Sequence, residues 1–105
     1  MGNYSASTAL AASLIIKAAP GRAFSISGYN SKGSAQFIQI HDSATLPADN
    51  AAPIAVITVA ATSNFSFTIP AIGLQGTSGL VVCNSSTAAT KTIGSADCFF
   101  TAIRD

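Results

Sequence analysis

Glutamate and tryptophan are absent from this sequence, and charge of either sign is scarce. Charged residues make up 9% of the chain, where about 25% is usual for a soluble domain. The five cations, Lys17, Arg22, Lys32, Lys91 and Arg104, are scattered and form no basic stripe. Nucleic-acid binding by phosphate neutralisation is therefore not expected. No run of like charge suggests a membrane surface. The apolar stretch 9–16 is shorter than the roughly 20 residues a bilayer span needs. Its nearest cation, Lys17, follows it, so it does not read as a signal peptide either.

Groups able to do chemistry are as few. The sequence holds one histidine, four aspartates and two cysteines. His41 and Asp42 are adjacent, and neighbours in a strand point to opposite faces, so they do not form a base and its orienting acid. His41 is expected to end a strand and bond a loop backbone. Asp42, Asp49 and Asp97 sit in or beside turns, where a carboxylate commonly accepts backbone N–H groups, and they do not cluster as a calcium site would. Cys83 and Cys98 with one histidine are too few for structural zinc. Nothing near Cys83 in the sequence signals a lowered thiol pKa. Glycines occur singly and form no phosphate-cradling motif. The reading is of a non-enzyme with no metal and no cofactor.

Hydrophobic residues, at 49%, are plentiful, and Ser, Thr, Asn, Gln and Gly must finish the surface. The 105 residues suit one domain, large enough to bury about 64% of its unfolded surface. So neutral an exterior has little electrostatic protection against association. Much of it is expected to be covered by neighbouring copies or partners. The alternative is a plain Ser/Thr-rich exterior, as on some extracellular proteins.

Turn clusters at 19–21, 28–33, 46–50, 61–64, 70–78 and 84–89 cut the chain into short runs. The runs are 10–17, 22–27, 35–41, 53–60, 64–69, 79–84, 90–93 and 97–103, rich in Ile, Val, Phe and Thr. They predict an all-β fold, an antiparallel, jelly-roll-like β-sandwich of about seven or eight short strands. Residues 1–20 read as an N-terminal arm or first strand, and 21–105 as the sandwich. Phe24 and Ile26 are expected on one face, and likewise Phe65, Phe67 and Ile69. The segment 54–59 is apolar both ways, with Ile54 and Val56 opposing Ile57 and Val59. Leu80-Val81-Val82-Cys83 is similar. Their outer faces must meet another subunit or the chain's own loops, such as 70–78. The two cysteines read as small buried apolar residues, with a disulfide between hairpin neighbours as the alternative. Tyr29 is placed in a Gly/Asn loop. The candidate partner contacts are Tyr4, Leu10, Tyr29, Asn30, Lys32, Ile57, Val59 and Leu74.

The strings Gly28-Tyr29-Asn30-Ser31, Ala35-Gln36-Phe37-Ile38-Gln39-Ile40-His41-Asp42 and Leu46-Pro47-Ala48-Asp49 together resemble a group of small proteins of tailed bacteriophages. Ser63-Asn64-Phe65-Ser66, Gly79-Leu80-Val81-Val82-Cys83-Asn84-Ser85-Ser86-Thr87 and Thr90-Lys91-Thr92-Ile93-Gly94-Ser95-Ala96-Asp97-Cys98-Phe99 extend the likeness over roughly residues 22 to 103. The resemblance implies a virion structural protein. The form expected is a capsid decoration or cement protein on the outer surface of the head, bridging the major capsid protein as a homo-oligomer, with a trimer expected. The N-terminal arm would reach onto a neighbouring subunit. The alternative is a tail or fibre module that binds a host receptor or glycan.

Overall fold

The structure is a computed structural model that describes residues 3–70 and 72–105. The regular elements among these are nine strands. They are β1 (Asn3–Ala6), β2 (Ser13–Lys17), β3 (Gly21–Asn30), β4 (Gln36–His41), β5 (Ala55–Val59), β6 (Ser63–Thr68), β7 (Leu74–Gly76), β8 (Leu80–Ser85) and β9 (Cys98–Arg104). One antiparallel sheet has the order β1-β9-β3-β6, with β7 paired to the start of β3; the other has the order β2-β8-β4-β5. These are called the front and back sheets below. With β7 set aside, the chain crosses between sheets at every step except the β4–β5 hairpin. This is the winding of a jelly-roll sandwich, the fold class expected from the turn spacing.

Alternation explains which side chains fill the space between the sheets. On β9, Cys98, Phe100 and Ala102 are fully buried, while Phe99 and Ile103 face out. On β6, Phe65 and Phe67 point in and Asn64, Ser66 and Thr68 point out. Ile26, Ile38, Ile40, Leu80 and Val82 complete the centre. Phe65 meets Phe100 edge-on at 6.1 Å, a geometry worth about 0.5–1.5 kcal/mol beyond the area it buries. Gly28 makes this possible, because a Cβ there would lie 2.7 Å from the Phe65 ring and 1.9 Å from the Phe99 carbonyl oxygen.

Several expectations are corrected. β3 does not stop at Gly28: ladders on both sides, to β6 and to β9, carry it to Asn30, and Tyr29 is a strand residue. Pairing along two edges outweighs a local turn signal. A bulge between Ala23 and Ser25 shifts the alternation, so Ala23 and Ile26 enter the core and Phe24 does not. Residues 70–78 contain β7, and 90–93 contributes only the isolated bridge from Ile93 to Ser85. β8 and β9 lie in different sheets rather than in a hairpin, and both cysteines are buried and free.

Residues 3–17 belong to the sandwich. β1 pairs with β9 from Asn3↔Arg104 to Ala6↔Thr101, and β2 pairs with β8 in the other sheet. Ser5 Oγ donates to the Ile16 carbonyl at 2.7 Å, joining the two sheets at this edge. Ser7 N–H donates to the Phe100 carbonyl and Ser7 Oγ accepts from Phe100 N–H, both at 2.9 Å. The division expected at residue 20 is thus not a boundary in the fold, and β1 pairs within its own chain. A chain beginning at Ser13 should therefore lose stability, with Tm lower by at least about 5 °C in thermal denaturation followed by circular dichroism. An unchanged Tm would mean that β1 contributes nothing to the sandwich.

Candidate interaction surface

The two outer faces of the sandwich differ in what lies on them. At the centre of the back sheet's outer face, Gln39 and His41 of β4 and Val81, Cys83 and Ser85 of β8 are buried, while Ile15 of β2 and Val56 and Thr58 of β5 are exposed at its edges. Two stretches, 42–54 and 86–93, fold over this centre. Gln39 is the anchor. Its amide Nε2 points at the carbonyls of Thr87, Ala88 and Thr90, at 2.8, 3.0 and 3.1 Å. Its Oε1 then faces His41 Nε2 at 3.0 Å, so the ring donates from Nε2. Ser85 Oγ accepts the N–H groups of Thr87 and Thr92.

The two stretches are also tied to each other. Asn50 N–H donates to the Lys91 carbonyl and Lys91 N–H to the Ala51 carbonyl, each at 2.8 Å. Lys91 is only 2% exposed, and its ammonium meets Asp49 Oδ1 at 2.5 Å. Asp49 also accepts Ile93 N–H, and the bonds from Lys91 and Ile93 hold its carboxyl below the ordinary range. Burial, and then the Lys91 charge, lower the pKa of His41. Burial pushes the Cys83 thiol up to about 11, so it stays protonated. The two-sided strand β8 is therefore covered by the chain's own loops, though by 42–54 and 86–93 rather than by 70–78.

A second polar cluster closes one end of the sandwich. Asp97 Oδ1 accepts Gln36 Nε2 at 2.7 Å and Asn84 Nδ2 at 3.0 Å. Gln36 Nε2 also reaches Asn30 Oδ1 at 2.9 Å, and Asn30 Nδ2 donates to the Ala60 carbonyl at 3.0 Å. One carboxylate and three amides thus link strands of both sheets. Asn84 Oδ1 has no hydrogen-bond donor. It lies against Gly94, where a Cβ would be 2.5 Å away, so its neighbour is a Cα–H group, a weak donor. Burial raises the Cys98 thiol to about 11. Asp42, with Ser78 N–H, Thr77 N–H and the Thr77 hydroxyl on its carboxylate, is lowered to about 2 and fixes a turn. These groups are occupied in holding loops and strand ends together.

The outer face of the front sheet is bare. Cross-strand register sets its side chains in rows. One row runs Tyr4, Ile103, Ser25, Thr68; the next runs Ala6, Thr101, Ser27, Ser66; a third runs Phe99, Tyr29, Asn64. No member is charged. Tyr4 is 68% exposed, Phe99 41% and Ile103 40%. Arg22, the cation of β3, lies beyond the bulge and pairs with Gln75 of β7.

The expected contact residues divide accordingly. Tyr4 and Tyr29 stand on this open face. Leu10 is exposed on the loop between β1 and β2, and Lys32 is half-buried after β3. Ile57 and Leu74 are half-buried and pack on the core. Val59 and Asn30 are buried, at 3% and 0% exposure, and are no surface contacts. Val56 of β5 and Ile54 just before it face out, because Ala55, Ile57 and Val59 take the inward positions. Phe99 and Ile103 were missed because 97–103 is apolar at most positions and reads as core throughout; the small Thr101 between them is the signal of an outward side.

No family model matches this chain, and no curated protein or solved structure shows significant similarity to it.

The depressed pKa of His41 has a thermodynamic consequence. The native state binds fewer protons than the unfolded chain as pH falls below about 6.5, the ordinary histidine value. The contribution of neutral His41 is full above that pH and is lost as pH falls from it toward the lower folded-state pKa. Wild-type Tm should thus decline between about pH 7 and pH 5 more steeply than that of His41→Gln. The lowered carboxylates Asp42 and Asp49 lose their contributions only nearer pH 4 and below. Equal slopes in the two proteins would remove His41 from the account.

Proposed function

We propose that this chain is a structural protein of a tailed-phage virion, a decoration or cement subunit that associates with its own copies and with the major capsid protein on the outer surface of the head. One observation carries the reading. A sheet face four strands wide is uncharged and bare, and exposes Tyr4, Phe99 and Ile103, while the centre of the opposite face is covered by the chain's own loops. Large exposed side chains on a neutral flat face mark a surface made for contact. The resemblance of residues 22 to 103 to small tailed-phage proteins supplies the setting. The jelly roll recurs in viral capsid and lectin domains, an analogy of fold and no more. The subunit in this reading works by burying surface and needs no reaction.

A second reading takes the same face as a glycan-binding surface of a tail or fibre module. Tyr29 and Phe99 are cross-strand neighbours, with Asn64 next to Tyr29 in the same row. Aromatic faces beside an amide suit a sugar ring. Cryo-electron microscopy of intact particles separates the two. The decoration reading predicts density for this fold at capsomer junctions on the outer shell. Density confined to the tail would transfer the proposal to receptor binding, and absence from the particle would refute both.

A further inference from the structure

We propose that residues 45–53 and 86–93 form a cover on the back sheet that opens as one unit while the sandwich stays folded, and that protonation of His41 releases it. The inference does not rest on the virion reading, which places its contact on the other sheet.

Local stability comes largely from buried apolar contact, and these two stretches have almost none. Among residues 45–53 and 86–93 Lys91 alone is buried, and it is charged. Leu46 is 38% exposed, and no apolar side chain of either stretch belongs to the core or packs against it. Polar bonds hold the cover down. They run from the Gln39 amide to the carbonyls of Thr87, Ala88 and Thr90, from the N–H groups of Thr87 and Thr92 to Ser85 Oγ, and from Lys91 to Asp49. Water can replace each of them once the cover lifts.

The ends of both stretches are fixed, so the moving part is bounded. Asp42 accepts from Thr77 and Ser78, and a Cβ at Gly79 would lie 2.6 Å from the Ser43 carbonyl oxygen. Ile54 N–H donates to the Ile40 carbonyl at 2.8 Å, and Gly94 N–H to the Asn84 carbonyl at 3.3 Å. Between these points the stretches are bonded to each other through Asn50, Ala51 and Lys91, so neither lifts alone.

Charge supplies the trigger. In the closed form the Lys91 ammonium has one carboxylate, Asp49, whose side chain is 49% exposed. Facing His41 are the Lys91 charge from one stretch, the Ala52 carbonyl from the other and Gln39 Oε1 on its own strand. Its neighbours on β8, Val81 and the protonated Cys83 thiol, carry no charge. None of these groups is an anion, so a proton on the ring sets a second buried cation beside Lys91. The Ala52 carbonyl favours that charge, but burial, and then Lys91, outweigh it. In the open form the ring is solvated and takes its proton near the ordinary value of about 6.5. Opening therefore increases as pH falls below that value. Asp42 and Asp49, both lowered, keep their charge at about pH 5.

The two cysteines report on opening and on global unfolding separately. Cys83 lies under the cover, and Cys98 lies between the sheets. The full chain is labelled in native buffer with dithiodipyridine, an uncharged disulfide reagent, and each site is followed by peptide mass spectrometry. Each rate is divided by that of the same cysteine in the denaturant-unfolded chain at the same pH. From about pH 7.5 to about pH 5 the Cys83 rate should rise about 10-fold, with about 30-fold the ceiling for one histidine. Cys98 should stay at least about 10-fold slower throughout. In His41→Gln the rise should be lost. Asp49→Asn, which leaves Lys91 without its carboxylate, should speed Cys83 labelling at least about 10-fold at about pH 7.5 and leave Cys98 unchanged. Equal rates at the two cysteines overturn the cover, because global unfolding then exposes both. A Cys83 rate indifferent to pH, or a rise that persists in His41→Gln, overturns the trigger. Wild type and His41→Gln decide the matter even where Asp49→Asn does not fold by circular dichroism.

Discussion

The side-chain amide of Gln39 organises the exterior of this molecule. It is fully buried on the outer face of the back sheet, with three loop carbonyls at its nitrogen and the His41 ring at its oxygen. A buried amide left without partners costs about 1–3 kcal/mol, so the loop and Gln39 need each other. With 86–93 held down, Lys91 is drawn beneath it and reaches out to Asp49, which brings 42–54 along. The ion pair joins a buried cation to a half-exposed carboxylate. Removing the carboxylate strands a buried charge, whereas removing the lysine leaves a carboxylate that water can solvate; the first is the worse defect. The centre of one sheet is sealed in this way, and the asymmetry of the sandwich follows.

Scarcity of charge shapes the rest. Each aspartate is used structurally. Asp42 fixes a turn, Asp49 holds the wrap, Asp97 gathers the Gln36 and Asn84 amides at the sandwich end, and Asp105 accepts from Arg22 N–H and Lys17. Neutral hydroxyls and amides are left to meet solvent or a neighbour. A front face of Ser, Thr, Asn and aromatic side chains follows from a sequence that keeps its few charges at the ends and under the loops. Such a face has little to resist association with an identical face.

Much of this was legible in the sequence. The alternation in Asn64-Phe65-Ser66-Phe67-Thr68 gave the orientation of β6 directly, since period two has only one reading when polar and apolar residues are strictly separated. The spacing of turn clusters predicted an antiparallel sandwich. The misses have physical causes. Gly28 and Asn30 read as a turn, because local chemistry does not reveal that β3 is paired on both sides. The bulge at Ala23 is invisible in composition and reverses the parity expected for Phe24. Ile54, Val56, Ile57 and Val59 define two apolar sides but not which of them is inward. Asn30 read as a surface contact because a polar side chain shows its burial only through partners far along the chain, here Ala60. The loop cover of β8 was hidden for the same reason.

The central claim is that the bare front face is the contact surface and the wrapped back face is not. Hydroxyl-radical footprinting with mass spectrometry, comparing dilute free protein with its assembled form, reads this side chain by side chain. The account predicts that oxidation of Tyr4, Phe99 and Tyr29 falls on assembly while that of Ile54 and Val56 is unchanged. Protection of Ile54 and Val56, with Tyr4 and Phe99 as reactive as in the free chain, would contradict it.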